Sequence, residues 1–174
     1  MMNYADIKKV DVANGPGVRV SLFVSGCSHR CEGCFNPETW DFQYGRPFGP
    51  EQIQEILALL DRPHIKGLSL LGGEPFDPQN QGPVLELARL VRQNLPGKTI
   101  WCYSGYLFED LAAGTIGDHG RALLEQLDVL VDGPFVLSKK DLGLRFRGSA
   151  NQRIIDVPAS LQAGEARLAE EFMS

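Results

Sequence analysis

Apolar residues along the chain alternate between two spacings, and that alternation predicts the fold. Val18-Arg19-Val20-Ser21-Leu22-Phe23-Val24 is rich in β-formers and reads as a largely buried strand. Ahead of it, residues 4–12 mix polar positions with Ile7, Val10 and Val12, as an edge strand or an extended lead-in would. Asn14-Gly15-Pro16-Gly17 makes the turn between them. Pro50 opens a segment in which Ile53, Ile56, Leu57 and Leu60 recur at helical spacing, with an acidic first turn and Pro63 as its stop. A strand at 65–71 runs into Gly72-Gly73, and a second amphipathic helix is marked by Val84, Leu87, Ala88, Val91 and Leu95 before Pro96-Gly97 ends it. A strand at 99–103, a helix near 119–127 with Leu123, Leu124 and Leu127 inward, and a strand at 129–132 follow. Residues 137–152 are polar, basic and glycine-containing, and read as a partly ordered loop or lid with room for a short strand at 145–147. A last strand at 153–157 is stopped by Pro158, and the polar tail allows a short helix around 163–172 with Leu168 and Phe172 facing in.

Strands and helices joined by short links predict βα units and a mostly parallel sheet. Four to six strands in 174 residues are too few for a closed eight-stranded barrel, which typically takes ~250 residues. The expected fold is α/β, an open partial (βα) barrel in a single domain over residues 1–174, with its site at the carboxyl ends of the strands.

Composition mainly excludes. A net charge of −5 gives no basic footprint for nucleic acid, so no nucleic-acid partner is expected. No run of about eighteen apolar residues is present to span a membrane. The first residues lack the basic and apolar regions of a secretory signal, which points to the cytoplasm, and clustered thiols suit that reducing compartment.

The chemistry is concentrated in Gly26-Cys27-Ser28-His29-Arg30-Cys31-Glu32-Gly33-Cys34, a loop at 26–36 that leaves the first core strand and holds three of the four cysteines at C-x3-C-x2-C spacing. Three thiolates cannot close into disulfides without a remainder, and soft ligands of this kind select zinc, copper or iron–sulfur. Structural zinc wants four protein ligands, whereas three cysteines and an open position suit a [4Fe-4S] cluster that lends one iron to another ligand. His29 could complete a Cys3His zinc site, but His64 and His119 are too isolated to identify as a further ligand pair. Cys102, inside a strand, reads as a small buried hydrophobe rather than a ligand.

With Phe35 directly after the last cysteine, the motif resembles that of radical S-adenosylmethionine (radical SAM) enzymes. Asn14-Gly15-Pro16-Gly17, Phe35-Asn36-Pro37-Glu38-Thr39-Trp40 and Gly72-Gly73-Glu74-Pro75 extend the resemblance to the glycyl-radical-enzyme activating proteins. The short chain, His29 within the cysteine loop and the run from Arg147 to Arg153 are similar to the branch that serves anaerobic ribonucleoside-triphosphate reductase. The resemblance implies that Cys27, Cys31 and Cys34 bind three irons and that S-adenosylmethionine (SAM) chelates the fourth. It implies one-electron cleavage to a 5′-deoxyadenosyl radical that takes hydrogen from a glycine of the reductase large subunit, with reduced flavodoxin or ferredoxin as electron donor.

Under this resemblance the cofactor contacts fall on Gly33, Cys34, Phe35, Asn36, Gly72, Gly73, Glu74, Ser104, Asp132 and Arg147. Gly72 and Gly73 would let backbone approach SAM and Glu74 would meet its amino group, although Gly-Gly also ends strands as a plain turn. Gly33 would aim amides at the cluster, and Phe35 would screen the cluster or stack on adenine, or simply anchor the core. Ser104 and Asp132 could contact SAM or cap backbone. His29 could donate to a sulfide, meet the partner or face solvent. Arg147 would meet the SAM carboxylate or the partner, and Lys139-Lys140 a solvated face. The competing readings are an activator of pyruvate formate-lyase, a radical SAM enzyme acting on a small purine-like molecule, and a non-catalytic zinc or iron–sulfur module.

Overall fold

The computed structural model describes residues 2–35 and 37–173. Its centre is a seven-stranded sheet in the order β3-β1-β2-β4-β5-β6-β7. The strands are β1 (Asn3–Asp11), β2 (Arg19–Val24), β3 (Arg46–Pro47), β4 (Gly67–Gly72), β5 (Thr99–Ser104), β6 (Val129–Asp132) and β7 (Arg153–Asp156). The helices are α1 (Pro50–Leu60), α2 (Pro78–Asn94), α3 (Phe108–Ala112), α4 (Gly120–Leu124) and α5 (Val157–Ala163). The middle strands β2, β4, β5 and β6 are parallel, and β1, β3 and β7 join antiparallel at the two flanks. The fold is thus mixed α/β.

Parallel strands are buried on both faces, and side-chain alternation gives each face its own character. Val20, Leu22 and Val24 of β2, Leu68 and Leu70 of β4, Ile100 and Cys102 of β5 and Leu130 of β6 join one core with the helices. In that core α1 contributes Ile53, Ile56 and Leu60, and α2 contributes Val84, Leu87, Ala88 and Val91, the stripes read from the sequence. The intervening residues turn to the other face. There Trp101, Val129, Val131 and Ile154 form a second, smaller core with Phe146 and Phe172. Toward β2 that face is polar: the buried Arg19 guanidinium donates to Ser69 Oγ, Thr99 Oγ1 and the carbonyls of Pro16, Leu68 and Thr99. Burial among these neutral acceptors pulls Arg19 down to about 10.

Several boundaries differ from the sequence reading. β1 is not the edge, because the two-residue β3 pairs outside it. α2 starts at Pro78 because Asp77 accepts from the Gln79 amide at 3.1 Å and Pro78 occupies the first turn. Its early turns are polar, so the apolar stripe begins only later. The short α3 was not foreseen, and the helix expected at 119–127 is trimmed to α4. No strand forms at 145–147: Phe146 has φ 61°, outside the β region, and the loop closes instead through a bridge between Lys140 and Ser149. Pro158 stops β7 by starting α5, whose cap Asp156 accepts from the Ala159 amide at 3.0 Å. The tail then returns along β7 through a bridge between Ile155 and Leu168, with Phe172 packed inward and Leu168 on the surface.

Candidate active site

The carboxyl ends of the four parallel strands open onto one cavity of about 360 Å³. Cys27 follows β2, Gly72-Gly73-Glu74 ends β4, Tyr103-Ser104-Gly105 ends β5, and Gly133 follows β6; all line this cavity. Cys31, Cys34, His29, Phe35, Arg147 and Gln152 complete much of the wall. A crevice at the carboxyl ends of parallel strands is where such sheets bind ligands.

The cluster loop is held from three sides. The Gly26 amide donates to Thr39 O at 2.7 Å, and the Cys27 amide to Trp40 O at 3.2 Å. The Glu74 amide donates to Gly26 O at 2.8 Å, which ties the loop to the end of β4. Asn80, buried in the first turn of α2, donates to Ser25 O, Gly26 O and Glu74 O at 3.0–3.4 Å. Ser28 Oγ donates to Asp77 Oδ2 at 2.7 Å. Loop and strand end approach so closely that a Cβ on Gly73 would lie 2.6 Å from Gly26 O. A Cβ on Gly72, itself at φ 104°, would lie 2.7 Å from the backbone of Val24. The two glycines therefore serve chain packing as well as leaving the cavity wall bare.

Glu74 is 1% exposed. Its Oε1 accepts from His29 Nε2 and the Gly105 amide, both at 2.7 Å, and its Oε2 accepts from Ser104 Oγ at 2.8 Å and the Phe76 amide at 2.9 Å. The carboxylate is thus saturated from within the protein. It raises His29 above its ordinary value against the effect of burial. Ser104 is spent on Glu74 and on the Tyr106 amide, so its hydroxyl belongs to the same network.

The remaining expected contacts divide. Phe35 lines the cavity, 56% exposed, with its ring 5.1 Å from that of Phe135. Arg147 lines it too: Nη1 donates to Gln152 O at 3.0 Å, while the buried Nε has no partner. Gly33, at φ 76°, turns beneath Leu137 and does not line the cavity. Asp132 is fully buried away from it; it pairs with Arg153 at 2.5 Å and accepts from the Phe108 amide at 2.8 Å, the backbone-capping alternative. Asn36 lies outside the described residues. Cys102 is buried in the helix-side core, where burial pushes its thiol well up.

Four contributors were missed. Asn80 and Asp77 sit in the polar first turn of α2, and the Asp-Pro helix start was the available signal. Tyr103 points a buried, unpartnered hydroxyl toward the polar inner face and lines the cavity. Gln152 accepts from the Gly148 and Ser149 amides and donates to Gly133 O, which pins the loop carrying Arg147.

The site fits a cysteine-held iron–sulfur cluster with a polar organic ligand. Three half-buried thiols share one cavity with two buried polar groups, Tyr103 OH and Arg147 Nε, that lack protein partners. Burial, aided by the Glu74 charge, pushes the Cys27 thiol up to about 11, so cationic iron beside it would favour the thiolate. Among the described residues no three His, Cys, Asp or Glu side chains converge on a single ion. A cubane distributes its three thiolates over three irons and requires no such convergence.

The class follows first from a family comparison: residues 13–155 match the family described as a 4Fe-4S single cluster domain. The chain is also 46% identical over 155 residues, 88% of its length and 97% of the relative's, to the anaerobic ribonucleoside-triphosphate reductase-activating protein of Vibrio cholerae. Proteins of the same name from Escherichia coli K12 and from phage T4 are 43% and 40% identical, over 87% and 88% of this chain and 96% and 93% of their own lengths. The chain belongs to the family of anaerobic ribonucleoside-triphosphate reductase-activating proteins.

Proposed function

We propose that this chain is a radical SAM activase: a single domain over residues 1–174, folded as an open partial barrel, that installs a glycyl radical on the large subunit of an anaerobic ribonucleoside-triphosphate reductase. The observation that carries this reading is the meeting of Cys27, Cys31 and Cys34 with Gly72-Gly73 and Arg147 around one cavity at the strand ends. The three cysteines hold three irons of a [4Fe-4S] cluster. With a cluster and SAM bound there, the chemistry supplied would be one-electron reductive cleavage of the sulfonium, with release of methionine, and removal of a hydrogen atom from the partner's glycine.

The protein's own residues orient and shield. His29, Glu74 and Ser104 lock the cysteine loop onto the ends of β4 and β5. Backbone at Gly72 and Gly73 would leave room for the SAM amino group at the cavity wall, with Glu74 serving to hold that wall in place. Arg147 Nε and Tyr103 OH, which lack protein partners, would be free to donate to the polar groups of SAM. Phe35, Phe135, Leu142 and Phe146 give the cavity apolar walls that exclude water from a reactive intermediate. Among the described residues no helix is long and apolar enough to cross a membrane. The reading places the protein in the cytoplasm, with reduced flavodoxin or ferredoxin as electron donor.

The test uses anaerobically purified protein, reduced and mixed with SAM and the reductase. About four irons and four sulfides per chain, release of 5′-deoxyadenosine and a glycyl radical signal on the reductase are expected. All should vanish in a Cys27/Cys31/Cys34 triple alanine variant. Stoichiometric zinc without SAM cleavage would overturn the reading.

A further inference from the structure

The C-terminal tail lies beyond residue 155, where the family match ends, and it packs against Phe146 and Arg147, which line the cavity. It is fastened to β7 in register: the Asp156 amide donates to Arg167 O at 2.9 Å, and the Ala169 amide to Ile154 O at 2.8 Å. This delivers Phe172 to Trp101 on the inner face of β5, with ring centroids 5.1 Å apart and planes at 71°. Phe146 closes the group, 5.2 Å from Trp101 and 6.2 Å from Phe172, both edge-on. Mutual edge-to-face contacts are the favoured geometry for aromatic rings.

Phe146 stands at φ 61°, a backbone conformation that non-glycine residues seldom adopt and that surrounding structure must impose. The next residue is Arg147, whose Nη1 donates to Gln152 O and whose Nη2 lies 3.5 Å from Met173 O in the same tail. Phe146 and Arg147 both line the cavity, and Arg147 Nε is buried there without a partner. Were Phe146 to relax to negative φ, the chain direction at Arg147 would change and the guanidinium would leave its place.

We propose that Phe172 is a positioning residue: by closing the ring cluster on Trp101 it holds Phe146 in its unfavourable conformation and so aims Arg147 at the carboxylate of the cavity's ligand. This rests on the reading that SAM occupies the cavity. The tail then supports the binding site from behind Phe146 and Arg147 without lining the cavity itself.

The experiment measures SAM affinity by anaerobic equilibrium dialysis on cluster-loaded protein, with iron and sulfide content and the electron paramagnetic resonance of the reduced cluster recorded alongside. Phe172→Leu keeps apolar bulk but removes the ring edge, and Phe172→Tyr keeps the ring at a half-buried position where a hydroxyl can reach water. Arg147→Gln should weaken SAM binding about tenfold, the scale of one charge-assisted hydrogen bond. Phe172→Leu should weaken it comparably with iron and sulfide unchanged, Phe172→Tyr should restore it, and Phe172→Leu added to Arg147→Gln should cost nothing more. A Phe172→Leu protein that binds SAM as wild type does, or whose effect adds in full to that of Arg147→Gln, overturns the proposal. So does loss of the cluster in Phe172→Leu, which would make the tail a general structural support. Wild-type protein that carries the cluster and binds no SAM would instead overturn the reading of the cavity.

Discussion

His29 Nε2 lies 2.7 Å from Glu74 Oε1, so the residue midway between the first two cysteines is bonded to the carboxylate at the end of β4. Glu74 also receives Ser104 and two backbone amides, and its removal would leave four donors unanswered in a buried place. Glu74→Gln turns one acceptor oxygen into a donor facing donors. It should lower unfolding free energy by about 2–3 kcal/mol in urea titrations before any ligand is added. A carboxylate reserved for a ligand's ammonium would leave that unliganded midpoint where it was.

Each of Cys27→Ala, Cys31→Ala and Cys34→Ala should lose most of the iron and sulfide bound after anaerobic reconstitution, because each thiol occupies its own part of the cavity wall. Cys102→Ala should load fully and cost only about 1 kcal/mol of stability, the scale of a small cavity in the helix-side core. Iron loss in Cys102→Ala with retention in one of the other three would redraw the ligand set.

The cysteine loop was legible because its chemistry lies in contiguous residues, and the parallel middle of the sheet because its strands are short apolar runs closed by glycine. The roles of Glu74, Ser104 and Asp132 were less legible. A carboxylate or hydroxyl at a strand end looks the same in sequence whether it faces a ligand or a neighbouring amide, and only packing distinguishes Glu74 on His29 from Asp132 on Arg153. Asn80 was invisible for a related reason. Its three acceptors are backbone carbonyls supplied by segments up to 55 residues away, and backbone leaves no mark in the sequence. The return of the tail along β7 was invisible for the same reason, because its hold there is also made by main-chain groups.

Asn80 gives a sharp test of how the cysteine loop is supported. Asn80→Asp keeps the shape but replaces the donor with an acceptor, setting it against the carbonyls of Ser25, Gly26 and Glu74. It should cost about 3 kcal/mol, and Asn80→Ala about 2 kcal/mol, by urea unfolding. Iron per chain should fall in the same order. Full iron loading in Asn80→Asp would show that the cluster organises its own loop regardless of this support.

Acid stability should carry the mark of Asp11. Burial would push its carboxyl up, but Ser21 Oγ at 2.6 Å, Asn14 Nδ2 at 2.7 Å and the Ala13 amide at 2.9 Å outweigh that and hold it below its ordinary value. A carboxyl lowered on folding stabilises the protein above its unfolded value, and the contribution disappears as pH falls through the folded one. The window therefore opens near the unfolded value of 3.8 and extends to more acid pH. Asp11→Asn, which cannot ionise, should be less stable than wild type by about 1–2 kcal/mol at neutral pH. The gap should narrow steadily once the pH drops below about 4. Glu109, lowered by its bonds to Arg153, titrates in both proteins and cancels in the comparison. Urea midpoints measured in parallel from neutral pH into the acid range decide the matter: a gap that stays constant, or widens with acid, would mean that Asp11 is not held as a hydrogen-bonded carboxylate in the folded protein.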